Sequence, residues 1–281
     1  MKARRSVTMK AKHPILLQVF MWSLTIIFLM PIYWLFVSSV KTDKEITQFP
    51  PTFWPNEFHW ENFPQIWERL DFTQTFANSI FVTVSATILI TIFATMAGYA
   101  LSKKHIFGKN VLFMILVGTM TVPPPALLLP LYFIIIKLGM YDSLISLIIP
   151  FGVTVFGVFF MKQYIDDVPD ELLEAARIDG CGEFRIFFQV VLPVIKPAIT
   201  TIVIIEFVNN WNSFTMPLVL LQSEEKFTLP LKLAMLSSES VAIPWSQVLA
   251  ANLLTIVPVV VLFIVLQRFF IKGIMDGAVK G

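Results

Sequence analysis

Side chains able to do chemistry are few in this chain, and the densest group of them lies inside an apolar run. Glu206 is followed by Asn209, Asn210, Trp211 and Asn212. Positions i, i+3 and i+4 share a helix face, so Glu206, Asn209 and Asn210 present one carboxylate and two amides to the same side. Amides beside an aromatic plane suit a sugar, which offers many hydroxyls and an apolar ring face. An ionisable group in such a run is costly and usually faces a protein interior or an aqueous path. The same residues would serve equally well to bond neighbouring helices, and spacing alone does not separate the two uses. A proton carried by Glu206 is a third use.

Other chemistries lack their residues. No G-x-x-x-x-G-K-[ST] loop occurs to cradle phosphate, because Gly108-Lys109 has no upstream glycine. No Gly-x-Ser-x-Gly elbow or His-Glu-x-x-His helix is present. His13, His59 and His105 lie far apart, and Cys181 is the one cysteine, so neither a metal cluster nor an internal disulfide is expected. The chain is expected to be no enzyme and to need no cofactor. Any ATP-driven step would have to take place on another subunit.

A second group of functional candidates spans residues 170–193, DELLEAARIDGCGEFRIFFQVVLP. It reads as two short helices with a hinge. Pro169, Asp170 and Glu171 suit a helix N-terminus. Leu172, Leu173, Ala175 and Ala176 fall on one face, with Glu171, Glu174 and Ile178 on the other. Gly180 is the stop, since glycine accepts the left-handed conformation that closes a helix. Phe184, Phe187, Phe188 and Val191 then sit at i, i+3, i+4 and i+7 as one apolar stripe, limited by Pro193 and Pro197. Such a stripe needs cover: the lipid interface, a partner's groove, or the protein's own helices.

The elements that must position these groups are membrane spans. Hydrophobic residues make up 56% of 281 and charged ones only 14%, against about 25% in a soluble domain. Mean hydropathy is +0.75. The net charge of +2 is not gathered into a stripe, so no nucleic-acid partner is expected. Spans are expected over residues 15–40, 72–102, 110–136, 144–161, 197–221 and 246–267, each near the ~20 residues a helix needs to cross. The first run is too long for the core of a signal peptide. In the second, Thr83, Thr87, Thr91 and Thr95 recur every four residues, and such hydroxyls mostly bond back to the preceding turn. Ala94, Ala97 and Gly98 permit close helix approach. Pro123-Pro124-Pro125 and Pro130 break the third run, and Pro258 should kink the sixth. Residues 41–71 and 222–245 read as external segments, the first rich in interfacial aromatics.

Positive charge sets the orientation. Lys2, Arg4, Arg5, Lys10, Lys12, Lys103, Lys104, Lys109, Lys162, Arg177, Arg185, Lys196, Arg268, Lys272 and Lys280 fall on one side of a six-span arrangement. Lys41, Lys44, Arg69, Lys137, Lys226 and Lys232 fall on the other. Both termini are therefore expected inside, with the loop at 162–196.

Glu174-Ala175-Ala176, Gly180 and Leu192-Pro193 resemble the EAA loop of ABC importer permeases. The opening SSVKTDKEI, the PPTFWP with Asn62 and Trp67, the Trp211-Asn212…Phe214…Pro217-Leu218 run and the AVKG ending resemble the maltose-type carbohydrate permeases in particular. The resemblance implies an all-α integral membrane protein with the type I ABC importer permease fold and six transmembrane helices. Glu171, Glu174, Ala175, Ala176, Asp179, Gly180, Phe184, Phe187, Phe188 and Pro193 would couple to an ATPase. Glu206, Asn209, Asn210, Trp211 and Asn212 would line the translocation pathway. Implied partners are a homologous second permease, two copies of a cytoplasmic ABC ATPase, an extracytoplasmic sugar-binding protein and the lipid bilayer. The implied place is the bacterial or archaeal cytoplasmic (inner) membrane, and the implied activity is ATP-driven import of a di- or oligosaccharide or sugar derivative. The alternatives are an ion-coupled transporter using Glu206 and an ABC permease for a non-sugar solute.

Overall fold

The computed structural model describes residues 14–238 and 243–278. The basic residues Lys2 to Lys12, His13, Glu239 and the last three residues of the AVKG ending lie outside them. Among the described residues all regular structure is helical. Three helices are long and apolar enough to cross a membrane, or five if two sharply bent pairs count as one span each. The chain divides into two compact units.

One unit holds the N-terminal residues up to Ile66 and the start of the last helix, to Leu254. Helix α1 (Pro14–Ser39) is apolar all round, which suits burial in lipid. The segment that follows, expected to be external, is ordered rather than loose. It carries α2 (Asp43–Thr47) and α3 (Asn62–Arg69). The Asn62 amide donates to the carbonyls of Ser39 and Lys41 at 2.9 and 3.1 Å, satisfying groups that the end of α1 leaves orphaned. Glu45 accepts from Thr52 Oγ1 and the Asn56 amide at 3.1 and 3.0 Å. Trp54, Phe58, Trp60 and Phe63 form a ladder of ring contacts.

The other unit runs from Trp67 and includes the rest of the last helix from Thr255. Its axis is α4 (Phe72–Lys103), 32 residues long. Next come α5 (Lys109–Gly118) and α6 (Pro124–Lys137), bent by 104° at the proline triplet. Pro124 and Pro125 occupy the first turn of α6, where a missing N–H costs nothing. The run at 144–161 is not one continuous helix. A 3₁₀ turn (Leu144–Leu147) and an irregular stretch at 148–154 precede α7 (Val155–Asp166). Pro150 and Gly152 break the helix there, and Thr154 restarts it by accepting the Gly157 N–H at 3.1 Å.

Helices α8 (Asp170–Ile178) and α9 (Glu183–Val194) form the hinged pair. In α9, residues Phe187–Val191 make a π turn just before Pro193, whose ring would clash with the carbonyl four residues back in a regular helix. A 77° bend leads into α10 (Lys196–Trp211), and α11 (Thr215–Leu220) follows a break at Asn212. The segment at 222–245, expected to be external, carries α12 (Leu229–Ser238), which buries Leu229 and Leu231. Helix α13 (Trp245–Ala278) includes an apolar stretch long enough to cross a membrane, Trp245–Gln267.

Close packing joins α4 to α7. A Cβ on Gly98 would lie 2.8 Å from the backbone nitrogen of Lys162, and one on Gly157 would lie 3.0 Å from the Ala94 Cβ. Only glycine lets the two backbones approach so far. Above this seam Thr91 and Thr95 bond back to the carbonyls of Thr87 and Thr91 at 2.7 and 2.6 Å, the commoner use of such hydroxyls.

Candidate functional site

Glu206 is buried at 3% exposure on α10. Its Oε1 accepts from Thr154 Oγ1 at 2.8 Å, and the Asn209 side chain reaches the same carboxylate. One threonine hydroxyl thus accepts the first N–H bond of α7 and donates to the acid of α10. These groups open onto a cavity of about 130 Å³, whose polar lining includes Ser79, Thr83, Thr154, Glu206, Asn209 and Asn210. No Lys, Arg or His is among its described lining residues.

The structure separates the predicted pathway residues. Glu206, Asn209 and Asn210 do converge on the cavity. The Asn210 amide also donates to the Glu206 backbone carbonyl at 2.8 Å. Trp211 is packed into the wall at 1% exposure. Its indole N–H donates to the Thr255 carbonyl at 3.0 Å, and its ring stacks on Phe207 at 6.0 Å. It is still one of the residues that line the cavity. Asn212 is exposed, bonds back to the Val208 carbonyl and does not line the cavity. Thr154 was missed, although a threonine just past Pro150 and Gly152 carries the signature of a helix N-cap. Nothing local in the sequence marks Ser79 and Thr83 as its neighbours.

The hinge between α8 and α9 is closed as glycine predicts. Gly180 has φ +79°. The Gly180 N–H bonds to the Arg177 carbonyl and the Cys181 N–H to the Ala176 carbonyl, both at 3.0 Å, the paired bonds of a Schellman motif. The faces differ from the simple wheel. Leu173 and Ala176 enter the core, but Leu172 and Ala175 stay exposed. The phenylalanine stripe also splits: Phe187 and Val191 are buried, while Phe184 and Phe188 are 78% and 59% exposed. The buried set packs with Tyr99, Leu101, Met161 and Ile165, the adjoining ends of α4 and α7. Glu171, Glu174, Asp179, Gly180 and Pro193 are exposed. An exposed surface mixing carboxylates with Ile178, Phe184 and Phe188 is therefore left without cover among the described residues.

Ion pairs fasten this segment. Lys103 Nζ meets Asp170 at 2.9 Å, and Lys104 pairs with Glu183, which also accepts from the Tyr99 hydroxyl at 3.3 Å. The Lys103 ammonium holds the Asp170 carboxyl below its ordinary pKa, and the Lys104 ammonium does the same for Glu183. Between α6 and the 3₁₀ turn, Asp142 sits at φ +54°. It accepts from the amides of Gln222 and Ser223 at 2.9 Å each and pairs with Lys226 at 3.0 Å. The Ser223 hydroxyl, then these amides, push its pKa far below the usual carboxylate range.

Comparison with known proteins follows this geometry. The family described as "Binding-protein-dependent transport system inner membrane component" matches residues 90–276. The arabinooligosaccharides transport system permease protein AraQ of Halalkalibacterium halodurans is 36% identical over 274 residues, covering 92% of this chain and 96% of that one. The melibiose/raffinose/stachyose import permease protein MelC of Bacillus subtilis is 34% identical, covering 89% and 91%. Among solved structures, a chain of a bacterial ABC transporter involved in import of the acidic polysaccharide alginate superposes with a TM-score of 0.78. It is 27% identical, with 91% of this chain and 95% of that chain covered.

Proposed function

This chain belongs to the family of binding-protein-dependent transport system inner membrane components, and from that premise we propose that it is the permease subunit through which a neutral sugar or oligosaccharide is imported. It is an integral membrane ABC importer permease with the type I fold. It works with an ATPase and a substrate-binding protein. In the arrangement proposed, six spans, one of them sharply bent at the proline triplet and one irregular, place both termini in the cytoplasm of a bacterial or archaeal inner membrane. A homologous second permease and two ATPase subunits complete the transporter, and ATP hydrolysis takes place on the latter. The chain then switches access between the two sides.

The observation that carries this reading is the uncovered face of α8 and α9. A surface combining Glu171 and Glu174 with Ile178, Phe184 and Phe188 is suited to a partner's groove rather than to water. We assign it as the EAA coupling loop. Lipid, which would serve the phenylalanines, has no use for the carboxylates.

The substrate class rests on the cavity. An acid held among amides and hydroxyls, with no cationic lining residue, offers an anionic solute no counter-charge and offers a sugar's hydroxyls several hydrogen-bonding partners. Its volume of about 130 Å³ is below the ~150 Å³ that holds one benzene-sized molecule, so the pathway must widen or be completed by the second permease. The names of the two relatives above concern neutral oligosaccharides, whereas the alginate importer handles an acidic one.

Co-purification of the ATPase with coupling-face variants, alongside sugar-stimulated ATP hydrolysis, tests this function. Glu174→Lys is expected to weaken ATPase binding more than Glu174→Ala, because repulsion adds to a lost charge-assisted bond of about 1.5–3 kcal/mol. Wild-type binding and transport in both variants would remove the coupling assignment. Uptake driven by an ion gradient without ATP would overturn the function itself.

A further inference from the structure

We propose that Lys103 and Lys104 are positioning residues that transmit movement of the coupling helices into the pathway helix α4. The proposal rests on the coupling role assigned to α8 and α9. The two lysines are consecutive, the last residue of α4 and its C-cap. Each holds the first residue of a different coupling helix: Asp170 opens α8 and Glu183 opens α9.

Lys103 has a buried side chain, 6% exposed, and its ammonium has three acceptors. They are the Val168 carbonyl at 2.6 Å, the Asp170 carboxylate at 2.9 Å and the Asp166 carbonyl at 3.4 Å. One side chain thus ties the C-terminus of α7 to the N-terminus of α8. Lys104 lies 5.2 Å from the centre of the Tyr99 ring and pairs with Glu183. Arg177, in the last turn of α8, reaches the same carboxylate at 3.4 Å. Tyr99 in turn packs on Phe187 of α9 at 5.1 Å. Both coupling helices are therefore held by charge at the end of one helix.

That helix runs to the cavity. Ser79, Thr83 and Ile90 of α4 line it, and Thr83 is 21 residues from Lys104, about 30 Å along a helix. The glycine seam at Gly98 and Gly157 joins α4 to α7, whose N-cap Thr154 holds Glu206. A displacement of α8 and α9 is thereby passed along two closely packed helices to the buried acid. Asp170 is 73% exposed at its side chain, so its pair contributes little to stability; its value lies in fixing where α8 sits relative to α4.

The test uses the complete transporter, with its ATPase, second permease and binding protein, in proteoliposomes. Lys103→Met and Lys104→Met keep most of the apolar stem and remove the charge. Both are expected to retain ATPase co-purification and basal ATP hydrolysis. Sugar transported per ATP should fall roughly 5- to 150-fold, the range of coupling between distant sites. Lys104→Arg should keep near wild-type coupling and serves as the folding control. Glu183→Lys with Lys104→Glu should recover part of what either single change loses, which a generally weakened fold would not do. Unchanged transport per ATP in both methionine variants would overturn the proposal. So would absence of rescue while Lys104→Arg is active. If instead the methionine variants lose the ATPase altogether, the lysines hold the docking surface rather than transmit movement, and the transmission proposal falls while the coupling assignment stands. The reverse result, with Glu174→Lys leaving ATPase binding intact, would remove the coupling assignment on which it rests.

Discussion

Glu206 illustrates how a single hydroxyl positions a buried acid. Thr154 donates to it, and Asn209 adds a second contact from the same helix. Glu206→Gln keeps an acceptor for Thr154 and the shape of the side chain. Transport of a neutral sugar is therefore expected to survive in this variant. Glu206→Leu takes from the Thr154 hydroxyl its acceptor and removes the polar character of the wall. Asn210→Leu also places an apolar side chain on the cavity, and it too should transport less well than Glu206→Gln. Uptake of radiolabelled substrate, corrected for protein level, ranks the three. Were Glu206→Gln the worst of them, a proton-coupled role would replace the sugar-pathway role.

At the scale of elements, turns and seams decide the outcome. Nothing lies within 4 Å of a Cβ built on Gly180, so no clash opposes a side chain there. The cost is its φ of +79°, about 1–2 kcal/mol for an ordinary L-residue and more for a β-branched one. Gly180→Val should misdirect α9 and abolish sugar-stimulated ATP hydrolysis while membrane insertion persists. Gly180→Asn, whose residue type visits this region, should be much milder. Equal loss in both would mean that backbone conformation is not the reason. Gly98 is the opposite case: an alanine there would meet backbone, which cannot yield as a side chain does. Gly98→Ala should lower the thermal stability of the detergent-solubilised protein by about 1–3 kcal/mol, measured by its unfolding midpoint. The pairs at Asp170 and Glu183 also set a pH expectation. Their folded-state pKa values are depressed, so their contribution is complete above the ordinary carboxylate value of about 4 and is lost only as pH falls through the lower folded value. Transport per ATP should therefore be flat between about pH 6 and 8 as far as these carboxylates govern it.

For the whole molecule the decisive property is sidedness. In the proposed orientation basic residues crowd the cytoplasmic segments, and the positive-inside bias would put α8 with them. Ala175 is exposed on α8. On a Cys181→Ser background, a cysteine introduced as Ala175→Cys should be labelled by a membrane-impermeant thiol reagent only after cells are opened. Labelling in intact cells would reverse the topology and separate the coupling face from any cytoplasmic ATPase.

The sequence by itself determined the membrane class, the helical content, the proline break between α5 and α6, and the stop at Gly180. Each follows from composition or from the chemistry of a single residue: no hydrophobic run can hide its backbone in lipid except as helix, proline has no N–H, and glycine alone enters φ > 0 freely. The EAA-like residues were legible for the same reason, as a short local pattern. What periodicity could not settle was which side of each short helix meets the core. Phe184 and Phe188 share an apolar stripe with Phe187 and Val191, yet only the latter two are buried, because the ends of α4 and α7 cover one flank of α9 and its π turn shifts the register. Trp211 lines the cavity, but its stacking on Phe207 and its bond to the Thr255 carbonyl are likewise set by packing. The pairing of Thr154 with Glu206 spans 52 residues, and that of Lys104 with Glu183 spans 79. Contacts at such separations are fixed by how helices pack, and no local property of either residue encodes its partner.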